Sequence, residues 1–191
     1  MFKLFLRRHL DKTLVESGSP RITGMIELAN LSSVLGNLLA TGIVNASCGV
    51  FNRAGPHKYQ DLRACGPGAE NVEVKFSLET NNPKGHLPKV GPHLTCRYVL
   101  GNQDGTYVTG ERGDVVWIWE VRFGFLEVKH YNISNTAGDS GKTAVVNAAG
   151  MECLLPVYFD AGRCPFSDKS KKRKELDSDL ELHRLGKRSA K

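Results

Sequence analysis

Two acidic residues and a lysine, Asp61, Glu73 and Lys75, have the types and spacing needed to hold a metal ion and its bound water. Apolar and polar residues alternate around Glu73, as in a half-buried strand, so Glu73 and Lys75 are expected to share one face. Alternate residues of a strand lie about 6.5–7 Å apart, within reach of one metal ion. A turn at Gly66-Pro67-Gly68 can return Asp61 to the side of Glu73.

This spacing, Asp61 followed after eleven residues by Glu73-Val74-Lys75, resembles the PD-(D/E)XK nuclease family, which includes type II restriction endonucleases. The position before Asp61 is Gln60, where the family commonly has proline. The resemblance implies Mg²⁺-dependent hydrolysis of double-stranded DNA. Asp61, Glu73 and the Val74 carbonyl would bind the metal, and Lys75 would orient or deprotonate the attacking water.

A further carboxylate, Glu27, lies in a helix predicted over residues 22–43. Steps of four and three residues lead from Glu27 to apolar Leu31, Val34 and Leu38, so the carboxylate is in line with the apolar stripe. A carboxylate on such a stripe needs a partner or a metal. The family resemblance implies that Glu27 completes the metal site. Alternatively, Glu27 lies at the edge of the stripe, where the helix dipole favours it.

The loop that follows the Glu73 strand is rich in proline and glycine, and it carries Lys84, His86 and Lys89. Basic and small residues suit close contact with phosphate, so these three side chains are predicted to bind the DNA backbone or to support the active site. A solvated basic loop is the alternative. Lys142 precedes a helix predicted over residues 143–149 and is a further candidate for phosphate contact.

A second Glu-Val-Lys tripeptide, with Glu127 and Lys129, competes with the first, and Asp114 precedes it. It ranks lower because the predicted strand face that carries it also carries Phe123 and Phe125.

Two strand-like runs are predicted over residues 115–119 and 121–128, and one face of them carries a mostly aromatic row. This row predicts a sheet core or a subunit interface, with a platform for base stacking as the alternative. Its members are Trp117, Trp119, Val121, Phe123 and Phe125.

The composition fits one domain of 191 residues with a net charge of +6. We assign residues 1–165 to the nuclease-like domain and residues 166–191 to a basic tail or a loosely docked helix. Residues 168–191 contain nine Lys/Arg and five Asp/Glu. The five cysteines form no C-x-x-C pair, which argues against a zinc site or a disulfide framework. Charges interrupt the apolar N-terminus, and no run was expected to span a membrane, so a cytoplasmic location is predicted.

Together these features predict an α/β domain with a restriction-endonuclease-like mixed β-sheet core flanked by helices. The function implied by the resemblance is that of a Mg²⁺-dependent endonuclease of the type II restriction class, acting as a homodimer on double-stranded DNA. A structure-specific repair or recombination nuclease is the alternative within catalysis. The other alternative is a non-catalytic DNA-binding protein, in which Asp61, Glu73 and Lys75 only form ion pairs.

Overall fold

The structure, a computed structural model, describes residues 11–55, 58–135 and 142–184. This part of the chain is mixed α/β, with three sheets and five α-helices. The helices are α1 (Asp11–Glu16), α2 (Ile22–Met25), α3 (Leu28–Ala46), α4 (Ala148–Cys153) and α5 (Lys171–Arg184). The strands are β1 (Phe51–Arg53), β2 (Leu62–Ala64), β3 (Glu73–Leu78), β4 (Lys84–Gly85), β5 (Gly91–Gly101), β6 (Val115–Leu126), β7 (Tyr131–Asn135), β8 (Lys142–Val146) and β9 (Leu155–Phe159).

The main sheet has the strand order β3-β5-β6-β9, which leaves β3 at one edge. Strand β3 is parallel to β5, and the other two pairings are antiparallel. The hairpin of β1 and β2 approaches the free edge of β3 through an antiparallel bridge between Leu62 and Val72. The third sheet has the order β4-β8-β7. The mixed sheet predicted from the sequence is therefore present.

Helix α3 covers one face of the main sheet. Leu31 and Leu35, one helical turn apart, are fully buried and pack with Val74, Phe76 and Tyr98. By length and composition alone α3 could also cross a membrane, which the sequence had not led us to expect. Such a helix is weak evidence for a membrane segment, because the core helix of a sheet has the same composition.

The opposite face of the sheet is covered by α5 and the segment before it. Leu176 of α5 is buried against Trp117 and Trp119, and Arg173 is buried as well. The expected basic tail is thus, over its described part, a helix packed on the sheet.

The sequence also predicts a short amphipathic helix over residues 3–16, since Phe5, Leu6, Leu10 and Leu14 recur at roughly helical spacing. Residues 11–16 of it are described and form α1, and the rest lies outside the described residues.

Strand β6 is a single strand, although the sequence suggested two. Its register with β5 shifts between Arg97 and Tyr98, and a β-bulge of this kind changes which residues share a face. Trp117 and Trp119 pack toward α5, whereas Val121 packs toward α3.

The predicted aromatic row is therefore wrong as a single core face. Phe123 and Phe125 are exposed at 42% and 50% of their surface.

The helix predicted over residues 143–149 is also wrong, because residues 142–146 form β8 between β4 and β7. Three of these five residues, Thr143, Val145 and Val146, are β-branched and favour a strand. Helix α4 begins later, and its N-cap residue Asn147 accepts a hydrogen bond from the Gly150 amide through its side chain.

Candidate active site

Strand β3 buries Glu73 at the edge of the main sheet. Val74 and Phe76 pack into the core beneath α3, and the pleat of the strand places Glu73 and Lys75 on the other face. The strand was predicted to be half-buried, but Glu73 and Ser77 are buried as well, so β3 is buried on both faces. Glu73 is only 1% exposed, although carboxylates are rarely so buried unless they are paired. Parallel pairing places Glu73 next to His93 of β5.

Two lysines neutralise one oxygen of the Glu73 carboxylate. The Nζ atoms of Lys75 and Lys89 each lie 2.5 Å from Glu73 Oε1. The other oxygen, Oε2, is buried and has no hydrogen-bond partner among the described residues. A buried carboxylate oxygen without a partner is costly, so this oxygen is available for a ligand that is not part of the chain.

The charge of Glu73 is set by two opposing effects. Burial alone would raise the pKa of the carboxyl group, but Lys75 and Lys89 outweigh burial and hold the pKa below its usual value. Glu73 is therefore ionised at neutral pH.

Asp61 lies against the backbone of β3. Its Oδ2 accepts a hydrogen bond of 2.8 Å from the amide of Val74, the residue that follows Glu73. The bridge between Leu62 and Val72 brings Asp61 to this position from the neighbouring strand. The predicted return of Asp61 to the Glu-Val-Lys strand is therefore observed.

A cleft of about 680 Å³ runs between α3, the free edge of β3 and the third sheet. Asp61, Lys75 and Lys84 contribute the charged groups of its lining. The uncharged polar side chains of the lining are Ser32, Ser33, Asn37, Ser77, Asn81 and Asn82. A lining that combines lysine ammonium groups with serine hydroxyl and asparagine amide groups is suited to contact a phosphate backbone.

Glu27 does not lie where the apolar stripe predicted. The helix is interrupted at Ile26, α3 begins at Leu28, and Glu27 is the exposed N-cap residue of α3. Its side chain makes no capping hydrogen bond. The expectation that Glu27 faces the core is wrong, and its position at the positive end of the helix dipole matches the alternative.

The basic residues predicted to bind DNA occupy different environments. Lys84 is exposed and lines the cleft, and His86 and Lys142 are exposed elsewhere on the surface. Lys89 is half-buried, and its ammonium group contacts the Glu73 carboxylate. The Lys89 Nζ also lies 4.7 Å from the centre of the Tyr59 ring. Lys89 is thus a second lysine beside Glu73, and of the two roles predicted for the loop residues, DNA contact and active-site support, its position matches support of the site.

His93 and Tyr131 were not predicted as site residues. The Tyr131 hydroxyl donates to the Lys89 carbonyl at 2.9 Å and lies 3.1 Å from His93 Nε2. His93 Nδ1 is 2.8 Å from the carbonyl oxygen of Gly91. Burial is the main cause that lowers the pKa of His93, so the imidazole is neutral at pH 7. These contacts fix the backbone that carries Lys89.

Tyr131→Phe is expected to lower the free energy of unfolding by about 1–2 kcal/mol, because it removes partly buried hydrogen bonds to Lys89 and His93. Urea unfolding monitored by circular dichroism measures this loss. Tyr158→Phe is the matched control, since the Tyr158 hydroxyl is 3.5 Å from Asp160 on an exposed side chain. Equal losses in the two variants would contradict a structural role for the Tyr131 hydroxyl.

The second Glu-Val-Lys tripeptide differs from the first in its structure. Strand β6 ends at Leu126, and Val128–His130 form a 3₁₀ turn. Lys129 Nζ and Glu127 Oε2 are 2.8 Å apart, but both side chains are at least half exposed. An exposed ion pair contributes little and creates no buried carboxylate.

Comparisons of the chain with protein-family models, curated proteins and solved structures give no match. Within residues 11–55, 58–135 and 142–184, no group of three or more His, Cys, Asp or Glu side chains is arranged to hold a metal.

Proposed function

We propose that this protein is a Mg²⁺-dependent endonuclease that hydrolyses phosphodiester bonds of double-stranded DNA, similar to type II restriction enzymes. The observation that carries the proposal is the buried carboxylate of Glu73. One of its oxygens contacts two lysines, and the other has no hydrogen-bond partner in the part of the chain that the structure describes. Glu73 also directly precedes Val74, whose amide binds Asp61.

Asp61, Glu73 and the Val74 carbonyl would hold the Mg²⁺ ion. These oxygen donors fit Mg²⁺, which in phosphoryl-transfer sites is commonly held by one or two carboxylates together with waters and substrate phosphate. The N–H and C=O of one strand residue point to the same side, so the Val74 carbonyl shares the edge where its amide binds Asp61. When bound, Mg²⁺ would activate water and neutralise charge on the phosphate. Glu27, which is exposed, is not required.

Lys75 would orient the attacking water and balance negative charge on the scissile phosphate. It lines the cleft while touching Glu73, so its ammonium group can face substrate on one side and the carboxylate on the other. Lys89 would hold Glu73 in place from the second side. Without substrate, these two cations offset the buried charge of Glu73.

The DNA backbone would enter the cleft along the free edge of β3. Lys84 is placed to contact a phosphate there, and His86 and Lys142 are proposed as outer contacts. A palindromic target would be cut on both strands by a two-fold homodimer. The exposed Phe123 and Phe125 offer an apolar surface for such an assembly.

Plasmid cleavage with and without Mg²⁺ tests the proposal. Lys75→Ala is expected to slow cleavage by about 10²-fold, because it removes the group that orients or deprotonates water. Lys129→Ala, at the same position of the exposed tripeptide, is the matched control and should retain activity. Discrete fragments would support a restriction enzyme, and cutting confined to branched DNA would indicate a repair nuclease. If the wild type bound DNA but did not cleave it, the protein would be a non-catalytic DNA-binding protein and the proposal would be overturned.

A further inference from the structure

A second cavity, of about 410 Å³, lies beneath α5 on the face of the main sheet opposite α3. Its volume is in the range of small-ligand pockets. Arg97 and Arg122 of the sheet, Phe166, and Lys172 of α5 contribute to its walls. None of these residues belongs to the cleft beside Asp61 and Lys75.

Arg97 provides the main evidence that the cavity binds a ligand. Its side chain is only 6% exposed, and its Nε donates to Glu120. The Nε group makes the hydrogen bond of this guanidinium to the described chain, and the two terminal Nη groups are not among the fully enclosed atoms that have no partner there. Because Arg97 forms part of the cavity wall, these Nη groups reach the open space of the cavity. Their donors are therefore available to an acceptor bound in the cavity.

Aromatic rings hold the Arg97 guanidinium in position. Its central carbon lies 4.5 Å from the centre of the Trp119 ring and 5.6 Å from that of Phe166. A guanidinium fixed in this way presents its planar donors with little further loss of freedom. The fork of such donors matches the oxygens of a carboxylate or phosphate.

The charges around the cavity favour an anion of low charge. Glu120 accepts from both Arg97 and Arg122, so these three buried groups have a net charge of +1. At the exposed part of the wall, Lys172 adds a positive charge and Glu152 adds a negative charge, so these two offset each other. Glu175, also in the wall, is paired with Lys171 at 3.6 Å. An oxyanion would bring the buried group closer to neutrality.

We propose that this cavity is a binding site for a phosphate-type oxyanion, held by the terminal Nη groups of Arg97 with support from Arg122 and Lys172. The oxygens could come from free phosphate or from a phosphodiester of nucleic acid. The proposal is independent of the nuclease activity, because Arg97, Arg122 and Lys172 do not line the cleft, although Asn82 lines both cavities.

The test measures the affinity of the full chain for inorganic phosphate by calorimetry, against chloride at equal ionic strength. Ala148→Glu adds a carboxylate to the cavity wall at an exposed position, so the fold should tolerate it. We expect it to weaken phosphate binding by at least about tenfold, through repulsion of like charges. Ala149→Glu, exposed and outside the cavity wall, is the matched control and should bind like the wild type.

Two further variants test the named donors. Arg97→Lys keeps the positive charge but loses the planar fork of donors. Lys172→Gln removes a charge from the cavity wall, and Lys174→Gln, which lies outside the wall, is its control. Both Arg97→Lys and Lys172→Gln should weaken phosphate binding. Absence of phosphate-specific binding in the wild type, or equal binding by Ala148→Glu and Ala149→Glu, would overturn the proposal whatever the behaviour of Arg97→Lys.

Binding of a short DNA duplex without divalent metal identifies the source of the oxyanion. Weaker duplex binding by Ala148→Glu than by Ala149→Glu would assign the site to nucleic-acid phosphate. Duplex binding that is equal in the two variants, with phosphate binding lost only in Ala148→Glu, would assign it to free phosphate.

Discussion

Glu73→Gln is expected to lower the rate of Mg²⁺-dependent DNA cleavage by about 10³-fold or more, which corresponds to several kcal/mol of transition-state stabilisation. The substitution keeps the volume and the hydrogen-bonding shape of the side chain. It removes the charge that would hold the metal through Oε2 and that now binds Lys75 and Lys89 through Oε1. Single-turnover cleavage of a labelled duplex measures this loss separately from product release.

The fold should survive this change. The side chains of Lys75 and Lys89 are 24% and 31% exposed, so both ammonium groups can turn toward water when the carboxylate is neutralised. Circular dichroism and urea unfolding of the variant check this point before its activity is measured.

Glu127→Gln provides the control from the same tripeptide in an exposed setting, and its cleavage rate should stay within about twofold of the wild type. If Glu73→Gln cleaved DNA normally and Glu127→Gln did not, the active site would have to be moved to the second tripeptide.

The position of Glu73 and Lys75 on one face could be predicted because a strand's alternation is local. Val72, Val74 and Phe76 mark the buried face in the sequence itself, and all three are buried in the structure. The sequence predicted strands for both tripeptides, and only the first lies in one, because β6 ends at Leu126 and the second tripeptide leads into a 3₁₀ turn.

Features that depend on tertiary contacts could not be predicted. Lys89 reaches Glu73 from a loop sixteen residues away, and Tyr131 reaches the Lys89 carbonyl from another sheet. Neither contact has a sequence period to reveal it. The break before α3 likewise has no proline to signal it, and it moved Glu27 from an expected core-facing position to an exposed cap.

The bulge opposite Arg97 had the largest consequence for the predicted surfaces. One shift of register moved Trp117 and Trp119 to a different face from Val121, so a row that alternates in sequence divides between two sides of the sheet.

Glu120→Gln is expected to lower the free energy of unfolding by about 3–5 kcal/mol, the usual cost of removing one partner from a buried ion pair. Glu120 is 1% exposed and is the shared acceptor for the Nε atoms of Arg97 and Arg122. With a neutral amide in its place, two buried guanidinium groups remain without a counter-charge. Urea unfolding measures the loss through the shift of the midpoint at constant slope.

Glu16→Gln is the matched control, because it removes a carboxylate from an ion pair with Lys12 whose side chains are both more than 60% exposed. Its effect should stay below about 0.5 kcal/mol. Salt separates the two cases further, since about 1 M NaCl screens exposed charges but penetrates little to buried ones. The destabilisation by Glu120→Gln should therefore persist at high salt. A loss that disappeared in salt would mean that water reaches the Arg97–Glu120–Arg122 group, contrary to its burial in the structure.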